Sequence, residues 1–336
     1  MYINYLPWQD THWSRLAEMG RRLPHAFLFH GRPGIGKLHL ALVLAQSLLC
    51  ERRTELRLAC GACPACAWFA SGNHPDFRLV QPEALAPSQE DTEADEGAES
   101  DRKKPSKQIK IEQIRALGDF LNVGSHRNGY RVVLIHPAES MNPGAANALL
   151  KSLEEPSAGV VFVLVSHQPS RLLATVRSRC HALALTLPPR EISLRWLLEQ
   201  GSKASPATLA FAGDAPLAAA TLPDEEAETR ARLFDLLGQP AVGALSLADF
   251  CQRLQPAAVV NWMFKWTYDL VALASGGGAR YNIDREEKLR QLSKSMPMIE
   301  LLRFYRALSA LAAIAEHPLN PRLFFDDLFI AYKEIG

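Results

Sequence analysis

Apolar runs and helical patterns alternate through the first half of the chain. Five short runs rich in β-branched and aromatic residues are predicted to be strands: Ala26 to His30, Phe77 to Val80, Arg131 to Ile135, Val160 to Val165 and Ala182 to Leu187. The run from Val160 to Val165 is apolar throughout, as expected for a strand that is buried on both faces. Strands that alternate with helices predict an α/β domain, in which helices cover a parallel sheet.

The strand pattern ends near Pro188, and helical periodicity continues from there to the end of the chain. Apolar residues recur at helical spacing in two stripes: Trp262, Trp266, Leu270 and Leu273, and Leu301, Leu302, Tyr305, Leu308 and Leu311. Such stripes are predicted to face a core. Part of this apolar surface is also expected to contact other chains, because oligomer interfaces resemble protein cores.

Composition places the chain among ordinary globular proteins, with 48% hydrophobic and 22% charged residues. No apolar run reaches the roughly 18 residues of a membrane helix, and the region after Met1 lacks the basic-then-apolar plan of a signal peptide, so a cytoplasmic protein is expected. A net charge of +1 argues against a dedicated nucleic-acid binder, since phosphate neutralisation needs a basic excess.

An acidic stretch interrupts the first half of the chain. Residues 83–101 contain eight acidic and no basic residues, and four basic residues follow before residue 108. With almost no large apolar side chains, the segment 83–107 is predicted to be a disordered insertion on the surface.

A phosphate-binding loop follows the first predicted strand, with the sequence Gly31-Arg32-Pro33-Gly34-Ile35-Gly36-Lys37-Leu38. In the pattern G-x-x-x-x-G-K, glycines let backbone N–H groups face phosphates and the lysine reaches the β and γ oxygens. The candidate nucleotide-binding residues are Gly31, Gly34, Gly36 and Lys37. The next position normally holds Mg²⁺ through a hydroxyl, which Leu38 cannot supply.

The third predicted strand shows the same loss of catalytic groups. It leads into His136-Pro137-Ala138-Glu139, where an active ATPase has Asp-Glu to organise the metal and the attacking water. Glu139 is displaced along the chain from those positions. ATP hydrolysis is therefore not expected, while ATP binding by the degenerate loop and retention of the loop for its turn geometry alone both remain open.

Four thiols lie close together in the sequence: Cys50, Cys60, Cys63 and Cys66. A set of this kind usually holds a structural Zn²⁺ tetrahedrally, with no position open for chemistry. An iron–sulfur cluster is the main rival, although a fourth cysteine just downstream is missing. Three of the cysteines together with His74 form a further possible ligand set, and Cys180 and Cys251 are expected to be ordinary buried residues.

Three motifs resemble those of bacterial clamp-loader subunits, which belong to the AAA+ family. They are Asn147-Ala148-Leu149-Leu150-Lys151-Ser152-Leu153-Glu154-Glu155-Pro156, Ser178-Arg179-Cys180 and Phe211-Ala212-Gly213-Asp214-Ala215-Pro216. Together with the cysteine cluster and the altered catalytic positions, they resemble the delta-prime class of DNA polymerase III clamp-loader subunits. The resemblance covers nearly the whole chain except the acidic insertion.

The resemblance implies three domains. These are an α/β AAA+ domain over 1–167 with a zinc module at 50–66, a small helical lid over 168–207, and an all-α collar over 208–336. It also implies a five-subunit ring that contains motor (gamma or tau) and delta subunits. The ring opens a sliding clamp and loads it on primer-template DNA, with no membrane involved.

The resemblance further implies that Arg179 is an arginine finger that acts in trans. Such an arginine presents a planar charged fork to the γ-phosphate held by a neighbouring motor subunit. On the bare sequence, an arginine that pairs with a carboxylate at the end of the sheet is the competing interpretation. Ser166, at the end of the fourth strand, resembles a sensor position, and an ordinary strand-end hydroxyl is the alternative.

Two other classes of function compete with this reading. A working P-loop ATPase would turn over ATP alone, which Leu38, His136 and Pro137 argue against. A zinc-containing nucleic-acid-binding module would bind DNA alone in a salt-sensitive way, which the near-neutral charge argues against.

Overall fold

Five strands form one parallel sheet, in the order β2-β3-β4-β1-β5. They are β1 (Ala26–His30), β2 (Phe77–Val80), β3 (Arg131–Ile135), β4 (Val160–Ser166) and β5 (His181–Ala184). The computed structural model describes residues 4–20, 22–52, 57–86, 105–122, 129–239, 241–315 and 320–335. The predicted bounds of the first three strands are confirmed, and β4 is one residue longer than predicted.

The last strand is shorter than the predicted run from Ala182 to Leu187. Among the described strands it pairs with β1 alone, and the final register pair joins His30 to Ala184. The Leu185 N–H still donates to the His30 carbonyl at 2.8 Å. Because β1 ends at His30, the residues after Leu185 pair with no strand of the described part of the chain, and the predicted end of β5 is wrong.

Seven α-helices lie in the described part of the first compact unit, residues 1–189. They are α1 (Asp10–Met19), α2 (Lys37–Leu49), α3 (Pro64–Ala70), α4 (Ile111–Arg115), α5 (Leu117–Asn122), α6 (Pro143–Glu154) and α7 (Ala174–Arg177). The predicted start of α6 is confirmed, since the Asn142 side chain accepts a hydrogen bond from the Ala145 N–H at 2.8 Å. Leu149 and Leu153 on α6 pack with Phe162 and Leu164 of β4 in the core.

Parallel pairing gives the sheet two chemically different edges. The carboxyl edge carries the phosphate loop after β1 and His136 after β3. The amino edge carries the end of α6 at Glu154, which precedes β4, and Arg179, which precedes β5. The candidate residues of the sequence are thus divided between opposite edges.

The second compact unit, residues 190–336, contains helices and no strand in its described part. Its α-helices are α8 (Arg190–Glu199), α9 (Pro206–Phe211), α10 (Pro216–Ala220), α11 (Asp224–Leu237), α12 (Ala244–Cys251), α13 (Pro256–Ala274), α14 (Glu286–Ser295), α15 (Met298–Ile314) and α16 (Pro321–Lys333). An α/β domain with a parallel sheet followed by an all-helical region confirms the predicted fold class. The domain limits at 167 and 207 stay a prediction.

The first predicted apolar stripe is buried, with Trp266 at its centre and the Trp266 Nε1–H donating to the Tyr332 hydroxyl at 2.9 Å. In the second stripe Leu301 and Leu308 are buried, but Leu302 is 41% exposed. Adjacent residues on a helix point about 100° apart, so Leu302 leaves the stripe and Phe304 takes the inner position.

A buried carboxylate fixes the loop between α13 and α14. Asp269 is fully buried, and its oxygens accept hydrogen bonds from the backbone N–H groups of Arg280, Tyr281 and Asn282 at 2.7–3.2 Å. The Asn282 side-chain amide donates a further bond to it at 2.8 Å. Bonds from several donors stabilise the charge that burial would otherwise penalise.

The ends of the predicted acidic insertion have defined positions. Glu83–Leu85 forms a 3-10 turn, and Lys110 pairs with the Glu83 carboxylate at 2.7 Å. The remainder, residues 87–104, lies outside the described residues. Within the described part of the chain, no helix is long and apolar enough to cross a membrane.

Replacing Asp269 by alanine is expected to lower the free energy of unfolding by about 2–4 kcal/mol, because buried N–H groups lose a charged acceptor. Chemical denaturation of the purified chain measures the loss. Asp327→Ala, at an exposed position of α16, is the matched control and should change the free energy by less than about 0.5 kcal/mol. Equal stability of the two variants would contradict the assignment of Asp269 as a loop anchor.

Candidate functional site

The phosphate loop adopts a glycine-dependent backbone that is packed on two sides. Gly31, Gly34 and Gly36 have φ values of 144°, 74° and 87°, which side chains rarely tolerate. A Cβ on Gly31 would lie 2.4 Å from the Leu185 carbonyl oxygen, and one on Gly36 would lie 2.5 Å from a methyl of Leu6. These glycines therefore serve the packing of the loop as well as its turn.

Two residues just before α1, Trp8 and Gln9, form hydrogen bonds with the backbone of the phosphate loop. The Trp8 indole N–H donates to the Ile35 carbonyl at 3.0 Å, and the Gln9 amide donates to the Gly36 carbonyl at 2.8 Å. Gln9 is fully buried and also accepts from the Leu6 N–H at 3.0 Å. No motif or periodicity predicts the bonds of Trp8 and Gln9 to the loop, which join residues 27 positions apart.

Lys37 is turned onto its own loop. Its ammonium donates to the carbonyl oxygens of Gly31 at 2.8 Å and Arg32 at 2.5 Å, and the residue is 2% exposed. Burial lowers the pKa of Lys37 to about 8, an effect that the nearby Glu139 carboxylate opposes. The cation predicted to reach a phosphate is thus held by backbone dipoles.

Two histidines, His136 and His167, lie near Lys37, where an active ATPase has carboxylates that organise its metal ion. The rings of His136 and His167 meet edge to face, with centroids 5.3 Å apart. Burial lowers the pKa of His136 to about 4, helped by repulsion from His167 and Lys37, and burial also lowers the pKa of His167, so both imidazoles are neutral at pH 7. Neutral imidazoles cannot replace the acidic groups that organise Mg²⁺ and water in an active ATPase.

Glu139, which the sequence left displaced from the catalytic positions, lies in the same surroundings. One carboxylate oxygen accepts a hydrogen bond from the backbone N–H of His167 at 2.9 Å. It therefore holds the turn after β4 in place. Ser166 is buried, and its hydroxyl accepts from the Gln168 N–H at 3.2 Å. A sensor role for Ser166 stays a prediction.

Arg179 lies at the amino edge of the sheet, and its side chain is one-third exposed. One terminal nitrogen (Nη2) is 2.6 Å from a carboxylate oxygen of Glu154, and the other (Nη1) donates to the Thr175 carbonyl at 3.0 Å. The sequence identified Arg179, and it placed Glu154 in a helix, but it did not predict that they meet. The arginine–carboxylate pair of the competing interpretation is present, and the finger role stays a prediction.

The four predicted cysteines converge. Their sulfur atoms all lie within 4.8 Å of one another, and Cys50 and Cys63 are 4.0 Å apart. Cys50 directly follows α2, whereas Cys63 and Cys66 lie at the start of α3. A Zn–S distance of about 2.3 Å gives sulfur–sulfur edges of about 3.8 Å in a tetrahedron, so the arrangement is compatible with a zinc site.

His74 does not join this cluster. Its Nδ1 accepts a hydrogen bond from the Asp76 N–H at 3.0 Å, and the group of candidate ligands found among the described residues consists of the four cysteines. Of the two remaining thiols, Cys251 is buried as predicted, while Cys180 is only partly buried. Burial raises the pKa of Cys180 to about 11 and that of Cys251 to about 12, so neither is poised as a thiolate.

Comparison with known proteins adds an independent line of evidence. A family model described as DNA polymerase III, delta subunit matches residues 9–189. The DNA polymerase III subunit delta' of Pseudomonas aeruginosa is 36% identical over 305 residues, which cover 88% of this chain and 84% of that protein. The delta' subunit of Yersinia pestis is 30% identical over 94% of this chain and 87% of its own length.

A more distant relative is the DNA polymerase III subunit tau of Salmonella typhimurium. It is 31% identical over 182 residues, which cover 53% of this chain and 25% of that protein. The likeness thus extends over about half of this chain and a quarter of the tau subunit.

The substitution Lys37→Met tests whether the phosphate loop does chemistry or only keeps its shape. Neither the wild type nor the variant is expected to turn over ATP, because Leu38, His136 and Pro137 occupy the positions where an active ATPase has its metal-organising groups. The free energy of unfolding should fall by about 1–2 kcal/mol, since two carbonyls lose their donor.

A coupled phosphate-release assay and denaturant unfolding measure these two effects, with Lys151→Met at an exposed position as the matched control. Magnesium-dependent turnover by the wild type that Lys37→Met abolishes would show the loop to be an active motor site.

Proposed function

Since the chain belongs to the family of DNA polymerase III delta-prime subunits, we propose that it is the stator of a bacterial clamp loader. In this role it helps to load a sliding clamp on primed DNA and does not hydrolyse ATP itself. It lends Arg179 to the nucleotide site of a neighbouring motor subunit. The observation that carries the proposal is the position of Arg179 relative to the phosphate loop of its own chain.

The two groups occupy opposite edges of one parallel sheet. The phosphate loop follows the last residue of β1, and Arg179 lies two residues before β5, whose first residue pairs with Phe27 near the start of β1. Five strand residues at about 3.3 Å each separate the edges by roughly 16 Å. Arg179 therefore cannot act on a phosphate in its own loop.

The chemistry of Arg179 fits a site in another subunit. A guanidinium keeps its charge at all physiological pH values and matches the oxygens of a phosphoryl group with two parallel N–H bonds. An arginine supplied in this way stabilises charge that develops on the transferred group. Partial exposure at the sheet edge supports access from a neighbour.

The expected neighbours are the motor subunits, gamma or tau, and a delta subunit. The sequence likeness to a tau subunit over 53% of this chain supports a common architecture with the motors. With a net charge of +1, contact with primer-template DNA is expected through the assembled complex, as is contact with the clamp.

The four cysteines are inferred to hold one structural Zn²⁺. All four positions of a tetrahedral ion would be filled by thiolates, which leaves none for water or substrate. The ion would join the end of α2 to the start of α3, because Cys50 belongs to the first junction and Cys63 and Cys66 to the second. Its contribution is to stability and not to a reaction step.

Purified protein is expected to contain about one zinc per chain, and Cys63→Ser should lose most of it and unfold at a lower temperature. Elemental analysis of unchelated protein and thermal unfolding measure both effects. Cys251→Ser, outside the cluster, should keep the metal and serves as the matched control. Visible absorption with iron in place of zinc would assign the cluster to iron–sulfur chemistry.

Arg179→Ala in the reconstituted complex should leave assembly intact and slow DNA-stimulated ATP hydrolysis only in part. A finger contributes about 10³–10⁵ in rate at the site it serves, but the other ATP sites of the ring keep theirs. Clamp loading should fall more than ATP binding does. Arg179→Lys should be little better, because an ammonium lacks the planar fork.

Gel filtration confirms assembly, and ATPase and loading assays follow on the same samples. Arg177→Ala removes an exposed arginine two residues away and is the matched control. Wild-type activity in an assembled Arg179→Ala complex would reduce Arg179 to a surface ion-pair residue.

A further inference from the structure

We propose that Glu154 is a positioning residue for Arg179: it holds the guanidinium ready before docking and gives it up to the phosphate of the neighbouring subunit. This inference rests on the proposed trans role of Arg179. The juxtaposition that supports it is the ion pair between the last residue of α6 and the arginine that follows α7.

Two acceptors fix the guanidinium from different elements. The carboxylate of Glu154 lies 2.6 Å from Nη2, and the carbonyl of Thr175 accepts from Nη1 at 3.0 Å. A guanidinium has five N–H donors, so these bonds leave others free to engage a phosphate. The side chain is therefore oriented without being saturated.

Both acceptors stand on well-packed backbone. Glu154 follows Leu153, which is 1% exposed, and Thr175 precedes Val176, which is fully buried. Leu153 and Val176 belong to the same core cluster under the sheet. Because the core fixes both elements, the guanidinium is held in a defined place at the amino edge.

The ion pair between Glu154 and Arg179 is weak enough for a phosphate to displace the carboxylate. Glu154 is about half exposed and Arg179 one-third exposed, and ion pairs of this kind are weak because water screens them. A γ-phosphate carries more negative charge than a carboxylate, so a phosphate that docks beside Arg179 competes with Glu154 for the guanidinium. Glu154 thus reduces the rotamer freedom of a long side chain without trapping it.

The distinctive feature of this role is its dependence on Arg179. Glu154→Ala in the reconstituted complex should slow the phase of ATP hydrolysis that Arg179→Ala removes by about two- to fivefold, the factor that an exposed ion pair contributes. The apparent affinity for ATP should not change. Glu154→Gln should stay near the wild type, since its amide oxygen still accepts from the guanidinium, and Glu154→Lys should be slower than Glu154→Ala.

Rapid-quench measurement of ATP hydrolysis with primed DNA and clamp resolves this phase. Adding Glu154→Ala to Arg179→Ala should cause no further loss, because the carboxylate acts only through the arginine. Glu155→Ala removes an adjacent exposed carboxylate and is the matched control.

The outcomes separate this inference from the proposed function. Wild-type ATP hydrolysis by the complex with Arg179→Ala would show that the proposed finger role of Arg179 is wrong. If Arg179→Ala slows hydrolysis while both Glu154→Ala and Glu154→Lys match the wild type, the finger stands and the positioning role is wrong. An additive loss in the double variant, or a changed ATP affinity in Glu154→Ala, would also overturn it.

Discussion

The parallel direction of all five strands is the constraint on which the arrangement of this molecule depends. Parallel pairing places the phosphate loop, His136 and His167 at one edge of the sheet, and Glu154 and Arg179 at the other. A single chain thereby presents a nucleotide-type loop on one side and the Arg179–Glu154 ion pair on the other. This separation is the reason for proposing that Arg179 acts in trans, because a group at one edge of the sheet cannot reach a phosphate at the other edge of the same sheet.

Much of the fold could be predicted from the sequence because its signals are local. The bounds of β1 and the cap at Asn142 follow from apolar runs and from residue types that satisfy helix ends. The end of β5 could not be predicted, since it depends on where its only partner stops. Leu302 was misplaced for a similar reason: a cluster of leucines shows helical character but not which leucine faces the core.

The functional sites show the same contrast between features with a local signal in the sequence and features that depend on long-range contacts. The four cysteines were found because metal ligands cluster in sequence, and their convergence in space agrees with that reading. Two contacts join residues 25 or more positions apart: the hydrogen bond from Gln9 to Gly36 and the ion pair between Arg179 and Glu154. Such contacts leave no periodic or motif signal in a single sequence. The hydrogen bonds of Lys37 to carbonyls of its own loop could not be predicted either, because the motif specifies a lysine and not its partner.

The packing of the phosphate loop has an evolutionary consequence. Any side chain at Gly31 would collide with the Leu185 carbonyl, and one at Gly36 would collide with Leu6, whether or not a nucleotide is ever present. Selection for folding alone is therefore enough to keep these glycines, and their presence by itself does not indicate that the loop binds or hydrolyses ATP. A genome survey that counts ATP-driven machines by their glycine-rich loops would therefore need a second criterion, such as the residues at the positions of Leu38 and His136, because packing alone can keep the loop.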